Sequence, residues 1–114
     1  ARDFELMKPT AGLVNASRGP VVVTKDLVAA LEKGEIAAAA LDTFEGETEV
    51  VMTDRRKSGL ADQPLLEKLH AMDNVILTPH IAFFTNLAVQ NMVDFSLEDV
   101  LLILAGKKSP HEVG

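Results

Sequence analysis

Arg18, Glu47 and His80 are the residues of this chain whose types and settings could do chemistry together. Arg18 lies in Asn15-Ala16-Ser17-Arg18-Gly19, directly after the apolar Leu13-Val14. His80 ends Val75-Ile76-Leu77-Thr78-Pro79-His80. Glu47 closes Ala40-Leu41-Asp42-Thr43-Phe44-Glu45-Gly46-Glu47. Each segment delivers a charged or titratable group to the end of a strand-like run. In an α/β sheet, ligands sit in the crevice outside the carboxyl ends of the strands. A guanidinium meets a carboxylate with two parallel hydrogen bonds. An imidazole exchanges protons near neutral pH, and a neighbouring carboxylate favours its charged, proton-donating form. Pro79 restricts the backbone and biases Thr78 to extended geometry, so the imidazole is aimed. Together these groups form a kit for gripping a carboxylate and moving a proton.

Spacing alone leaves plainer readings open. Arg18 could pair with a surface acid. His80 could be a satisfied, partly buried ring. With Glu45 and Glu49 nearby, any single Glu here, Glu47 included, could be a solvated loop charge, and Asp42 could begin a turn. His70, on a helix, and His111, in the tail, read as solvated. Without cysteine or a His-x-x-x-His pair, the scattered histidines argue against a metal site.

The elements that must position these groups alternate. Leu13 to Ser17, bounded by Gly12 and Gly19, reads as a buried strand. Thr24 is the expected cap of a helix that carries Leu27, Ala30 and Leu31 at helical spacing and closes at Lys33-Gly34. Ile36 to Leu41 has helical propensity in its alanines, yet it is short and follows a helix stop. It reads as a second strand. Gly46 to Ala61 is expected to be a long polar loop, and Pro64 to Met72 a short helix capped by Asp62. Asn74 to Thr78 is a third expected buried strand. Thr85 to Ala105 is the longest helix, with Thr85 as N-cap and Gly106 as its stop. This order predicts βαβ units, a parallel sheet and right-handed crossovers. Three strands alone make a poor sheet, so its outer faces are expected to need neighbours.

Bulk properties fit a globular domain: 114 residues, 47% hydrophobic and 25% charged. The net charge of −6 argues against a general nucleic-acid binder, which needs a basic face. The absence of cysteine excludes disulfides and fits a reducing cytoplasm. No run approaches the roughly 18 apolar residues of a transmembrane helix, and the mixed, charged Ala1 to Met7 does not read as a signal peptide. Phe4, Leu6 and Met7 look like the tail of a helix stopped by Lys8-Pro9. The chain is therefore expected to begin inside a larger protein.

Taken together, the segments resemble the C-terminal part of a D-2-hydroxyacid dehydrogenase, closest to the D-lactate dehydrogenase branch. The matching stretches include Met7-Lys8-Pro9, Asn15-Ala16-Ser17-Arg18-Gly19, Ala39 through Glu47, Asp73 through His80 and Ala82-Phe83-Phe84-Thr85, in the family's order. The resemblance implies residues 1–84 as the C-terminal half of a nucleotide-binding, Rossmann-like doubly wound domain. Residues 85–114 would be a long helix and tail returning toward a catalytic domain absent from this chain. It also implies an NAD-dependent exchange between a 2-keto acid and a D-2-hydroxy acid, with pyruvate and D-lactate the expected pair, in a cytoplasmic homodimer. Arg18 then matches the grip on the substrate carboxylate, His80 the acid/base, and Glu47 the residue that holds and charges His80. Asp42 matches a contact to the nicotinamide end of the cofactor. Ala16, Ser17 and Arg18 match the strand end against which the cofactor lies, and Phe83 a position near the substrate side chain. A D-2-hydroxyisocaproate-type substrate, or a cofactor-sensing regulatory module of the same fold, are the alternatives.

Two departures stand out. Val23 occupies the place where the family usually has Asp or Asn before a helix. No Gly-x-Gly-x-x-Gly occurs: the glycines are at 12, 19, 34, 46, 59, 106 and 114. The pyrophosphate cradle at a helix N-terminus is thus missing from these residues, and the 114 residues alone are not expected to turn over keto acid.

Overall fold

A computed structural model describes residues 2–51, 53–57 and 59–112. The chain divides into two compact units, residues 1–81 and 82–114.

The first unit is built on a parallel sheet. It contains α1 (Arg2–Glu5), β1 (Gly12–Asn15), α2 (Thr24–Glu32), β2 (Ala38–Leu41), α3 (Glu47–Val51), α4 (Pro64–His70) and β3 (Val75–Leu77). The strand order is β1-β2-β3, so β2 is central. Its alanines pair on both sides, Val14 with Ala40 and Ala40 with Ile76. Two neighbours in the ladder override the helical propensity of the Ala37–Ala40 run.

One face of the sheet carries the core. Leu27, Val28, Ala30 and Leu31 of α2 and Leu69 of α4 bury against Ala39 and Leu41, with Leu13, Val75 and Leu77 packed alongside. The opposite face shows the row Val14–Ala40–Ile76, in which Val14 is 74% and Ile76 65% exposed. The strands expected to be buried throughout are therefore covered on one face only within this unit. That gives them a period of two.

Other boundaries shift for identifiable reasons. β1 stops at Asn15, because the Asn15 side chain accepts a bond from the Ser17 N–H and turns the chain. Thr24 does not cap α2. It is the first helical residue, and Val23 stands at the N-cap without a side-chain bond. The expected 46–61 loop contains α3, entered through Gly46 at φ +75°; Met52 and Ser58 of that segment lie outside the described residues. Asp62 does not cap α4 either. Gln63 holds that position, and Asp62 pairs with Arg55 instead. The α2 stop is as expected: Gly34 at φ +70° lets Gly34 N bond Leu31 O and Glu35 N bond Ala30 O.

The second unit is α5 (Asn86–Leu104) with its flanks. Thr85 caps it, its hydroxyl accepting from Ala88 N at 3.2 Å. No residue of α5 is buried. His111 is not merely solvated: its Nδ1 lies 3.0 Å from Asp99 Oδ1, which also accepts from the Ser109 hydroxyl at 2.6 Å. These bonds tie the tail back to α5. None of the described helices is long and apolar enough to cross a membrane.

Two expectations follow. Leu69 is fully buried, so Leu69→Ala should cost about 2–5 kcal/mol in urea unfolding, and a loss well under 1 kcal/mol would contradict the core described. The Ser109 hydroxyl, and then His111, hold the Asp99 carboxyl below its ordinary value of 3.8. A depressed folded-state value means the tie is fully present above pH 3.8 and weakens as the pH falls through the lower value. Protection of the His111 amide, taken against its intrinsic exchange rate at each pH, should therefore hold at pH 5 and fall only well below pH 4; protection lost already on going from pH 6 to pH 5 would contradict it.

Candidate active site

Parallel strands place all their carboxyl ends on one edge of the sheet. The segments after β1, β2 and β3 therefore meet there, and side chains sew them together.

The first stitch is Asn15, buried at the end of β1. Its Nδ2 donates to Arg18 O at 3.0 Å and to Thr43 O at 3.2 Å, while Oδ1 accepts from Ser17 N at 3.2 Å. One amide thus shapes the turn that carries Arg18 and fastens it to the segment after β2. The backbone reinforces this, since Asp42 N donates to Asn15 O at 2.9 Å. Gly19 is needed because the two segments nearly touch. A Cβ there would come within 2.2 Å of Phe44 O.

The second stitch is Asp42, buried at the end of β2. Its Oδ1 accepts from the Thr78 hydroxyl at 2.5 Å and from Ile81 N at 2.9 Å. The Asp42 carbonyl accepts from His80 N at 2.9 Å. Between these contacts His80 adopts φ +55°, the sole left-handed non-glycine residue among those described. Strain of this kind persists only where surroundings enforce it.

The third contact joins the two titratable groups. Glu47 opens α3; its Oε2 accepts from Phe44 N at 3.1 Å, and its Oε1 lies 3.1 Å from His80 Nδ1. The Glu47 side chain is 19% exposed and that of His80 37%. A carboxylate only accepts, so Nδ1 carries the hydrogen of this bond. The alternative of a solvated Glu47 gives way to this pair.

Arg18 is exposed at the β1 end, its Nη1 donating to Ser17 O at 2.6 Å. Ala16 and Ser17 are small and exposed beside it. Phe83 belongs to the second unit, where it meets Phe84 edge to face at 6.2 Å. Among the described residues, no group of three or more His, Asp or Glu could hold a metal ion.

Sequence reasoning missed two residues of the site. Asn15 could have been found, since Asn at a strand end commonly bonds the backbone two residues on. Glu45, given no role in the sequence, accepts from Thr24 N at 2.6 Å across 21 residues of chain, and nothing local announces that.

A three-stranded parallel sheet with helices, and with an acid-supported imidazole at its carboxyl edge, is the architecture of a nucleotide-binding α/β domain. The family model for D-isomer specific 2-hydroxyacid dehydrogenase, NAD binding domain, matches residues 1–82. The chain belongs to that family. It is 39% identical over 110 residues to a D-2-hydroxyacid dehydrogenase (NAD+) of Lacticaseibacillus paracasei, covering 96% of this chain and 33% of the relative. The solved D-lactate dehydrogenase with NAD+ from Lactobacillus jensenii superposes with a TM-score of 0.87 at 41% identity, over 99% of this chain and 34% of that one. A D-lactate dehydrogenase from Sporolactobacillus sp. gives 0.86 at 49% identity, over the same shares. The chain thus spans about a third of the length of these relatives.

The Asn15 stitch is testable. Asn15→Asp keeps the acceptor for Ser17 N but removes both donors: Thr43 O loses its bond, Arg18 O keeps only that from Val21 N, and both carbonyls face a new charge. Unfolding should show a loss of about 1–3 kcal/mol; a neutral change would mean that the stitch does not hold.

Proposed function

We propose that the protein carrying this chain is an NAD-dependent oxidoreductase that interconverts a 2-keto acid and a D-2-hydroxy acid, with pyruvate and D-lactate the expected pair. The single observation that carries the chemistry is the 3.1 Å contact between Glu47 Oε1 and His80 Nδ1 at the carboxyl edge of the sheet.

In reduction, the protonated His80 donates from Nε2 to the keto oxygen as negative charge grows there. In oxidation, the neutral ring takes the hydroxyl proton. Glu47 holds the ring through Nδ1 and stabilises the charge it carries as a donor. Arg18 receives the substrate carboxylate with its planar fork. NAD, when bound, supplies or accepts the hydride; the protein supplies orientation and the proton.

The residues present suit the nicotinamide side of that cofactor. Ala16 and Ser17 are small and exposed at the strand end, and Arg18 and Asp42 are assigned to its border by resemblance. The phosphate side has no glycine-rich cradle in these residues, so its binding falls to chain beyond them. Phe83 is assigned to the substrate side chain by resemblance. A homodimer and a cytoplasmic location complete the reading; the cysteine-free composition suits a reducing compartment.

His80→Gln in the complete protein tests the assignment. Turnover of pyruvate should fall about 10²–10⁴-fold while NADH still binds, as read by fluorescence titration. Unchanged turnover would remove His80 from the chemistry and favour a cofactor-sensing module.

A further inference from the structure

We propose that Glu45 is a positioning residue: its carboxylate anchors the segment after β2 to the N-terminus of α2 and thereby sets where Glu47 meets His80. The proposal rests on the reaction read above for Glu47 and His80.

Helix α2 begins without a side-chain cap, because Val23 at the N-cap has no acceptor. The Thr24 N–H is taken instead by Glu45 Oε2 at 2.6 Å. That is a short, charge-assisted bond with an anion at the positive end of a helix, favourable on both counts. Helix α2 is itself immobilised, since Leu27, Val28, Ala30 and Leu31 are all in the core. Glu45 therefore ties the loop to the best-packed helix of the unit.

The position of that tie along the chain matters. Asp42, Thr43 and Phe44 are buried; Thr78, Ile81 and Asn15 bond to the first two, and Gly19 gives Phe44 room to approach. Gly46 follows at φ +75° and leads into α3, whose first residue is Glu47. Glu45 is the last side chain anchored outside the loop before that turn. Beyond it, Glu47 is located by Phe44, whose N–H its carboxylate accepts and whose carbonyl its own N–H meets at 3.2 Å, by the Arg55 bond to Glu49 O in α3, and by His80. Misplacement by about 1 Å is enough to cost up to about a hundredfold in rate.

Three variants of the complete protein separate this role from simple helix capping. Glu45→Ala removes the anchor. Glu45→Gln keeps an acceptor for Thr24 N. Val23→Asp adds a local cap, and alone should leave turnover unchanged. Glu45→Ala is expected to lower kcat about tenfold to a hundredfold, with KM for the keto acid within about twofold because Asn15 holds the Arg18 turn independently. Glu45→Gln should retain most of the rate. Combining Glu45→Ala with Val23→Asp should restore the melting temperature but not kcat, and it supplies a folded protein if Glu45→Ala alone is too unstable. A kcat that recovers together with stability would reduce Glu45 to a cap and overturn the proposal, as would a kcat within twofold of wild type for Glu45→Ala. If the wild-type protein shows no turnover, the reaction fails but the anchor is still read. The ¹⁵N signals of the His80 ring should then move in the double variant, and unmoved signals would overturn the proposal.

Discussion

The turn that carries His80 holds its shape because a buried carboxyl group just past the central strand commands the groups around it. Asp42 binds the Thr78 hydroxyl and the Ile81 N–H through one oxygen, and its carbonyl takes the His80 N–H. A left-handed conformation costs an ordinary residue about 1–2 kcal/mol. Hydrogen bonds to a charged acceptor are worth about 1.5–3 kcal/mol each, so the ties outweigh the strain. The dependence is mutual. A carboxylate as buried as Asp42 needs donors to compensate for lost water, and the strained turn supplies them. His80 is thus aimed by backbone that could not relax without stripping a buried side-chain oxygen of its donors.

The same logic runs outward along the sheet edge. Asn15 joins the segments after β1 and β2, Asp42 joins those after β2 and β3, and Gly19 permits the close approach between the first two. The central strand contributes to every junction. These bonds lie in partly or fully buried surroundings, where an unpaired group is costly. The surface pair Lys68–Glu32 at 2.8 Å, both partners about half exposed, belongs to another class. Pairs of that kind contribute about 1 kcal/mol or less. The order of the site comes from the buried network.

Apolar surface elsewhere shows how much of this polypeptide is prepared for contact. The row Val14–Ala40–Ile76 crosses the open face of the sheet, and α5 shows Leu87, Leu101 and Leu104 to solvent. This accords with a chain that corresponds to about a third of its relatives' length.

Local chemistry in the sequence was enough to place the alternating elements, the three strands, the glycine-stopped α2 and the Thr85-capped α5, because periodicity, glycine and capping residues act over a few positions. The same applies to the candidate groups Arg18, Glu47 and His80, each marked by type and by its place after an apolar run. Family resemblance singled out Glu47 as the partner of His80, and the fold brings the two together; tertiary structure alone decided that Glu45 caps a helix 21 residues away and that Asp62 serves Arg55 and not α4. The one-sided burial of the strands was settled there too. Neighbouring carboxylates have nearly identical local signatures. What separates them is which distant N–H or ring each one meets once the central strand has drawn the three segments to a single edge.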